Sequence, residues 1–404
     1  MNLTEPQAGS DVGALKTMAT PRGDGSWSIR GTKIFISFGD HDMADNIVHL
    51  VLARTPGAPA GTRGISLFLV PKYRLDAEGN PGAFNDVRVV SIEHKMGLHA
   101  SPTCVLSFGD NDDCIGHLIG AEDDGMRAMF TMMNNARLNV GLQGVQVAEA
   151  ATQKAADYAR ERIQGARDGQ PAAIIEFPDV RRMLMRMKAQ TLAARALVYY
   201  AAGQVDRAGL GDAAAKDRLE LVTPLAKAHA TDIGNEVASL GVQIHGGMGF
   251  IEETGAAQYF REARITPIYE GTNGIQAADL VGRKLSLSNG GAFASLIADI
   301  RAEAKDAGLL TLVDACERVG RRLQTADADD RLAASYPFLN MLSVATAGWL
   351  VERLARESAD DAPGRVRRAV ADFYLAQVLP EAMGQIAAAE ARAGALYALD
   401  AGAF

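Results

Sequence analysis

Glu270 is the residue in this chain whose surroundings most suggest acid–base chemistry. It follows Ile268 and Tyr269 and precedes Gly271, within ITPIYEGTNGIQAADLVGRKL, residues 265–285. A carboxylate in apolar company is desolvated, and desolvation raises its pKa, each unit being worth about 1.4 kcal/mol. That suits a general base working near neutral pH. Thr272 or Asn273 can cap the helix that follows. By physics alone the same glutamate also fits a surface or helix-capping residue.

Three other segments could hold a ligand. MNLTEPQAGSD, residues 1–11, gathers Thr4, Ser10 and small residues into a turn rich in backbone donors. GTKIFISFG, residues 31–39, could lay Phe35 against an aromatic ligand with the Ser37 hydroxyl beside it. SLGVQIHGGMGF, residues 239–250, carries Gln243, an amide without an obvious role in a helical core. Each also has a plain reading: an ordinary loop, a half-buried strand and a surface amide beside a turn.

The elements that must position these segments change character near Gly120. Before it, short β-rich runs alternate with turns. Residues 27–37 read as strand–turn–strand around Arg30 and Gly31. Further strands are expected at 46–54, 64–70, 87–92 and 103–108. Beyond Gly120 apolar residues recur with helical spacing. Helices are expected at about 125–162, from Pro178 onward, and at 213–240 with a kink or restart at Pro224. SLSNGG, residues 286–291, reads as a linker to a further Ala-rich helical segment. The expected fold is α+β, mostly α. A small β-barrel or sandwich domain (1–118) precedes a four-helix-type bundle carrying the glutamate (119–285) and a C-terminal helical extension (286–404).

Composition sets further bounds. The 404 residues carry 41 Lys and Arg against 49 Asp and Glu, a net charge of −8 that argues against a general nucleic-acid binder. The three cysteines form no Cys-x-x-Cys pair, so a disulfide framework or zinc site is not expected. That usage suits a reducing cytoplasm. No membrane span and no targeting segment is expected. His94 and His99 lack a nearby ligand set, and no phosphate-binding loop, His-Glu-x-x-His or G-x-S-x-G string occurs.

In this order, L-T-E-P-x-A-G-S-D, V-Q-I-H-G-G-x-G-F and I-Y-E-G-T-N-x-I-Q resemble the acyl-CoA dehydrogenase family over about residues 1–285. ARERIQGAR, EFPDVRRML and the helical tail look like a larger subfamily that includes 3-methylmercaptopropionyl-CoA dehydrogenases. The resemblance implies bound FAD and α,β-dehydrogenation of an acyl-CoA to its trans-2-enoyl form. The substrate would be 3-methylmercaptopropionyl-CoA or a short or medium acyl-CoA. An electron-transfer flavoprotein or similar acceptor would take the electrons, and a homodimer or higher homo-oligomer would be needed.

Residue by residue, the resemblance makes Glu270 the catalytic base. Its backbone amide and a flavin hydroxyl would hold the thioester carbonyl. Leu3, Thr4, Phe35, Ile36, Ser37, Arg162, Gln243, Gly247, Thr272 and Gly274 match FAD-binding positions. Arg162, Gln243 and Gly247 would act across subunits. Ser10, Asn134, Arg137 and Gly271 match positions near the acyl-CoA. Phe35-Ile36-Ser37 stands where Trp-Ile-Thr is usual, and Arg162-Ile-Gln-Gly replaces Arg-x-x-Phe-Gly.

Members of the family carry a helical domain before L-T-E-P, whereas this chain starts inside that string. The expectation is a chain without that wall of the acyl pocket, with Glu270 more open to water and its pKa nearer a solvent value. One alternative is therefore a catalytically silent truncated paralogue. Another is a flavin-binding, DNA-associated relative of the same fold. The latter would use Arg318, Arg321, Arg322, Arg365, Arg367 and Arg368, although acidic residues lie among them.

Overall fold

The computed structural model describes residues 1–404, which form two compact units, 1–135 and 136–404. The division falls inside the first long helix, α1 (Gly125–Glu161).

The first unit is a β structure. Its strands are Met18–Pro21 (β1), Trp27–Ser37 (β2), Val48–Ala53 (β3), Ser66–Pro71 (β4), Tyr73–Leu75 (β5), Pro81–Phe84 (β6), Val87–Ile92 (β7), Thr103–Phe108 (β8) and Ile115–Ile119 (β9). Seven pair antiparallel in the order β3-β4-β9-β2-β8-β7, with β1 on β2, while β5 and β6 form a separate hairpin. The eleven-residue β2 pairs β1 and β9 through its first half and β8 through its second. Trp27, Ile29, Val51, Phe68, Leu106 and Phe108 fill the space this makes. Arg30 and Gly31 do not turn the chain as expected: β2 runs straight through them. The irregularity lies further on, as a bulge between Lys33 and Ile36. Both of those side chains are buried although they stand three apart, so strict alternation cannot hold.

The second unit is helical. A short exposed hairpin, Ile163–Arg167 (β10) with Gln170–Ala173 (β11), follows α1. Then come α2 (Pro178–Gly209), α3 (Ala213–His245), α4 (Ala256–Ala263) and α5 (Asn273–Gly282). Next are α6 (Gly291–Glu303), α7 (Ala307–Thr325), α8 (Ala328–Ala333), α9 (Ser335–Arg356) and α10 (Ala362–Phe373). Pro178 opens α2 at its first turn, where its missing N–H costs nothing. Pro224 does not interrupt α3. Leu221, Val222, Leu225 and Ala226 around it are all fully buried, and that packing outweighs the roughly 3 kcal/mol an interior proline costs. SLSNGG forms a kink, with Ser288 and Asn289 left-handed, before α6. No helix is long and apolar enough to cross a membrane.

α1 and α3 cross through glycine. A Cβ on Gly144 would lie 2.4 Å from the carbonyl oxygen of Ala230, and one on Gly234 would lie 2.9 Å from that of Gly144. Both obstacles are backbone and cannot rotate away. Gly144→Ala is therefore expected to destabilise the helical unit by about 1–3 kcal/mol, despite its better helix propensity. A lower urea midpoint with an unchanged slope is the expected reading, and an unchanged or higher midpoint would refute it.

Candidate functional site

In the β unit, the opening segment lies between two strands. The Asn2 N–H donates to the Leu50 carbonyl at 2.7 Å, and the Ile34 N–H donates to the Thr4 carbonyl at 3.0 Å. Leu3 and Thr4 are thereby placed beside the bulge of β2. Their own N–H groups donate to nothing in the protein. Below them sits a buried ion pair. Lys33 Nζ donates to Glu5 Oε1 at 2.8 Å and to the Leu3 carbonyl at 3.1 Å. The lysine side chain is 0% exposed and the glutamate 3%.

The bulge turns Phe35 outward. Its φ is 59°, in the left-handed region, and its side chain is 61% exposed while its neighbour Ile36 is buried. Ser37 and Ser10 are exposed. An outward aromatic next to two unused backbone donors suits a flat, apolar ring with polar acceptors on its edge. The residues present therefore fit a flavin.

In the helical unit, Glu270 sits on a tight loop between α4 and α5. Its φ is 54°, and Gly271 follows at 82°. Two consecutive left-handed residues are uncommon, and for a glutamate the conformation is strained. The loop is pinned at several points. The Asn273 N–H donates to the Pro267 carbonyl at 2.9 Å, Thr272 caps α5 by accepting from the Ile275 N–H, and the Tyr269 hydroxyl donates to the side chain of Gln143.

Burial raises the pKa of Glu270, and positive charges, those of Arg137 and Lys227 among them, oppose that rise. The result is a carboxyl above its ordinary range. Arg137 is itself buried, 3.8 Å from Asp279. Its Nε, the side-chain oxygen of Gln276 and Asp279 Oδ2 are buried without a hydrogen-bond partner in the protein. Such groups call for a water or a polar ligand. Asn134 is half-buried three residues before Arg137 on α1, and Gly274 is exposed at the start of α5.

A second cluster lies at the end of α1. Tyr158 stacks on His245 with ring centroids 4.4 Å apart, which ties the end of α1 to the GGMGF turn after α3. Arg162, Gln243 and Gly247 are all exposed on these two segments. Five of the six arginines named above in the C-terminal helices, by contrast, are occupied. Arg318 pairs with Glu390, Arg321 with Glu317 and Arg368 with Asp360, while Arg322 binds carbonyls and Arg367 binds Ser358.

Sequence reasoning missed Lys227, whose ammonium donates to the Gly271 carbonyl at 2.8 Å and to Asn273 Oδ1 at 2.9 Å. The available signal was a lysine set among Leu225, Ala226, Ala228 and Ala230 on a helix with an apolar face.

Three family models match the chain in sequence. They describe the acyl-CoA dehydrogenase middle domain (1–111), the acyl-CoA dehydrogenase C-terminal domain (123–285) and an acetyl-CoA dehydrogenase C-terminal-like domain (291–400). A 3-methylmercaptopropionyl-CoA dehydrogenase of Ruegeria pomeroyi is 46% identical over 94% of the chain and 69% of its own length. A butyryl-CoA dehydrogenase of Syntrophomonas wolfei is 41% identical over 74% of the chain and 52% of its length. Among solved structures, ACDH-11 of Caenorhabditis elegans in complex with C11-CoA superposes with a TM-score of 0.78 at 26% identity. That match covers 94% of this chain and 64% of the other. The chain thus spans from about half to about two thirds of the proteins it matches.

Proposed function

Since the chain belongs to the acyl-CoA dehydrogenase family, oxidoreductases acting on acyl-CoA, we propose that it dehydrogenates an acyl-CoA thioester between its α and β carbons, with Glu270 as the base. The observation that carries this is Glu270 itself: desolvated, raised in pKa, and presented on a strained and tightly pinned loop. Glu270 removes the α-proton. Its own backbone N–H is a donor for the thioester oxygen, where charge develops as the proton leaves. The positive charges of Arg137 and Lys227 favour the ionised carboxylate that accepts this proton. The hydride acceptor for the β-hydrogen is what FAD supplies when bound, and the family is FAD-dependent.

In this reading Leu3, Thr4, Phe35, Ile36 and Ser37 hold the flavin ring, and Thr272 and Gly274 hold more distant parts of the cofactor. Ser10, Asn134, Arg137 and Gly271 serve the acyl-CoA. The unsatisfied Arg137 Nε supports that role. Arg162, Gln243 and Gly247 face a second copy of the chain, which makes a homodimer the smallest working assembly; their joint exposure supports this. The three segments 1–118, 119–285 and 286–404 are the corresponding domains. Similarity to the Ruegeria protein favours 3-methylmercaptopropionyl-CoA as substrate, with a short or medium acyl-CoA beside it. An electron-transfer flavoprotein or similar acceptor would take the electrons. The intramolecular pairing of the C-terminal arginines speaks against DNA association.

The deciding measurement is the visible spectrum of the purified chain, before and after anaerobic addition of a short acyl-CoA. The expected result is a flavin band that bleaches. A protein that stays colourless when FAD is supplied would sink the proposal, as would a flavin band unmoved by any acyl-CoA.

A further inference from the structure

The loop that carries Glu270 is tied to the C-terminal segment by a chain of hydrogen-bonded side chains, none of which takes the proton or the hydride in the proposed reaction. Lys227, fully buried on α3, holds the carbonyl of Gly271 and the side-chain oxygen of Asn273. The Asn273 amide nitrogen donates to Asp232 Oδ1 at 2.8 Å and to Thr231 Oγ1 at 3.0 Å. The other oxygen of Asp232, Oδ2, accepts the hydroxyl of Tyr336 at 2.5 Å. Tyr336 is the second residue of α9. Three side chains therefore connect α9 to the residue next to the proposed base.

Each link is oriented. Asp232 takes one donor on each oxygen, so the tyrosine hydroxyl fixes the rotation of the carboxylate. Together with the Ala228 carbonyl, which also accepts from the Asn273 NH2 at 3.2 Å, that carboxylate sets which way the Asn273 amide faces, because only the NH2 end can donate to either. The amide oxygen is then left to Lys227, and the ammonium so held can keep the Gly271 carbonyl. Glu270 and Gly271 are both left-handed, so the loop needs such an external hold.

We propose that Tyr336 is a positioning residue for the Glu270 loop, acting through Asp232, Asn273 and Lys227. The C-terminal segment thereby sets the geometry of the base without touching the substrate. This rests on Glu270 being the base. The plainer role for the same hydroxyl is to dock α9 onto α3. The two roles differ in where removal of the hydroxyl is felt.

Tyr336→Phe removes only that hydroxyl, from a side chain 37% exposed, and leaves the packing intact. Asp232→Asn is the second variant; it keeps the shape but not both acceptors. Backbone hydrogen–deuterium exchange is followed by mass spectrometry on the full-length chain. The peptide of interest spans residues 265–277, whose Ile268, Tyr269, Asn273 and Gln276 amides are hydrogen-bonded. In Tyr336→Phe, exchange in this peptide is expected to rise about tenfold, the scale of one hydrogen bond to a charged group. Peptides from α6, α7 and the rest of α9 stay as they were. Adding Tyr336→Phe to Asp232→Asn produces no further rise. With a short acyl-CoA, kcat falls by a similar factor and KM does not move. Unchanged exchange in the loop overturns the proposal, and so does a rise spread evenly over α9 and its neighbours. If the unaltered chain shows no turnover, the proposed activity fails, and the exchange measurement still decides whether Tyr336 positions the loop.

Discussion

Glu270→Gln is expected to keep its flavin and to lose flavin reduction by acyl-CoA by roughly 10²–10⁴-fold, the range a positioned general base supplies. Glutamine has nearly the same shape, and the left-handed conformation at this position costs it about what it costs glutamate. The Asn273 and Thr272 bonds that pin the loop do not involve the carboxylate, so the loop holds. What disappears is the only atom that can take the α-proton. Anaerobic stopped-flow spectroscopy reads the rate of bleaching directly.

The pH dependence should change with it. In the unaltered chain the rate rises with pH as Glu270 deprotonates, at a pKa displaced upward by burial. Glu270→Gln has no such limb. Glu270→Asp retains a carboxylate one methylene short and should fall between the two. Bleaching of Glu270→Gln at the unaltered rate would remove Glu270 from the mechanism.

The parts of the site that were legible in the sequence are those whose function fixes a contiguous string. The sequence around Glu270 is such a case, because the base, its cap at Thr272 and the turn at Gly271 are neighbours along the chain. The extent of α1 and the start of α2 at Pro178 were legible for a similar local reason. The rest depends on partners distant in sequence. Lys33 spoils the alternation of β2 because Glu5, 28 residues earlier, takes its charge underground. Nothing local announces that, so the strand reads as two. Lys227 finds Asn273 across 46 residues and Asp232 finds Tyr336 across 104, so the support beneath the base could not be read from spacing. The β10–β11 hairpin was missed because it is almost wholly exposed and has no buried face to impose a period of two.

The buried pair beneath Leu3 and Thr4 should have the largest effect on stability. The Glu5 carboxylate accepts from the Lys16 and Thr17 N–H groups, the Thr17 hydroxyl, the Gln7 amide and the Lys33 ammonium. Glu5→Ala would leave the wholly buried ammonium with the Leu3 carbonyl alone, and is expected to cost about 3–5 kcal/mol in urea unfolding. Since the Leu3 carbonyl hangs from the same pair, flavin content should fall as well. Replacing both partners by neutral residues of similar shape, Glu5→Gln with Lys33→Met, should recover part of the loss, because no unpaired charge is then buried, although one oxygen that accepts from Lys16 and Gln7 is lost.

Acid sensitivity gives an independent check. Burial alone would raise the pKa of Glu5, but the charge and hydrogen bonds of Lys33 and the Thr17 and Lys16 donors bring it from 4.5 down to about 2. A carboxyl depressed in the folded state stabilises it above the unfolded pKa. That stabilisation drains away as the pH falls from about 4.5 toward 2. The double variant has no carboxyl here to protonate, so its stability should decline less over that window. A cost below 1 kcal/mol for Glu5→Ala, or parallel acid limbs for the two proteins, would mean that the opening segment is held by its strand contacts and not by this charge.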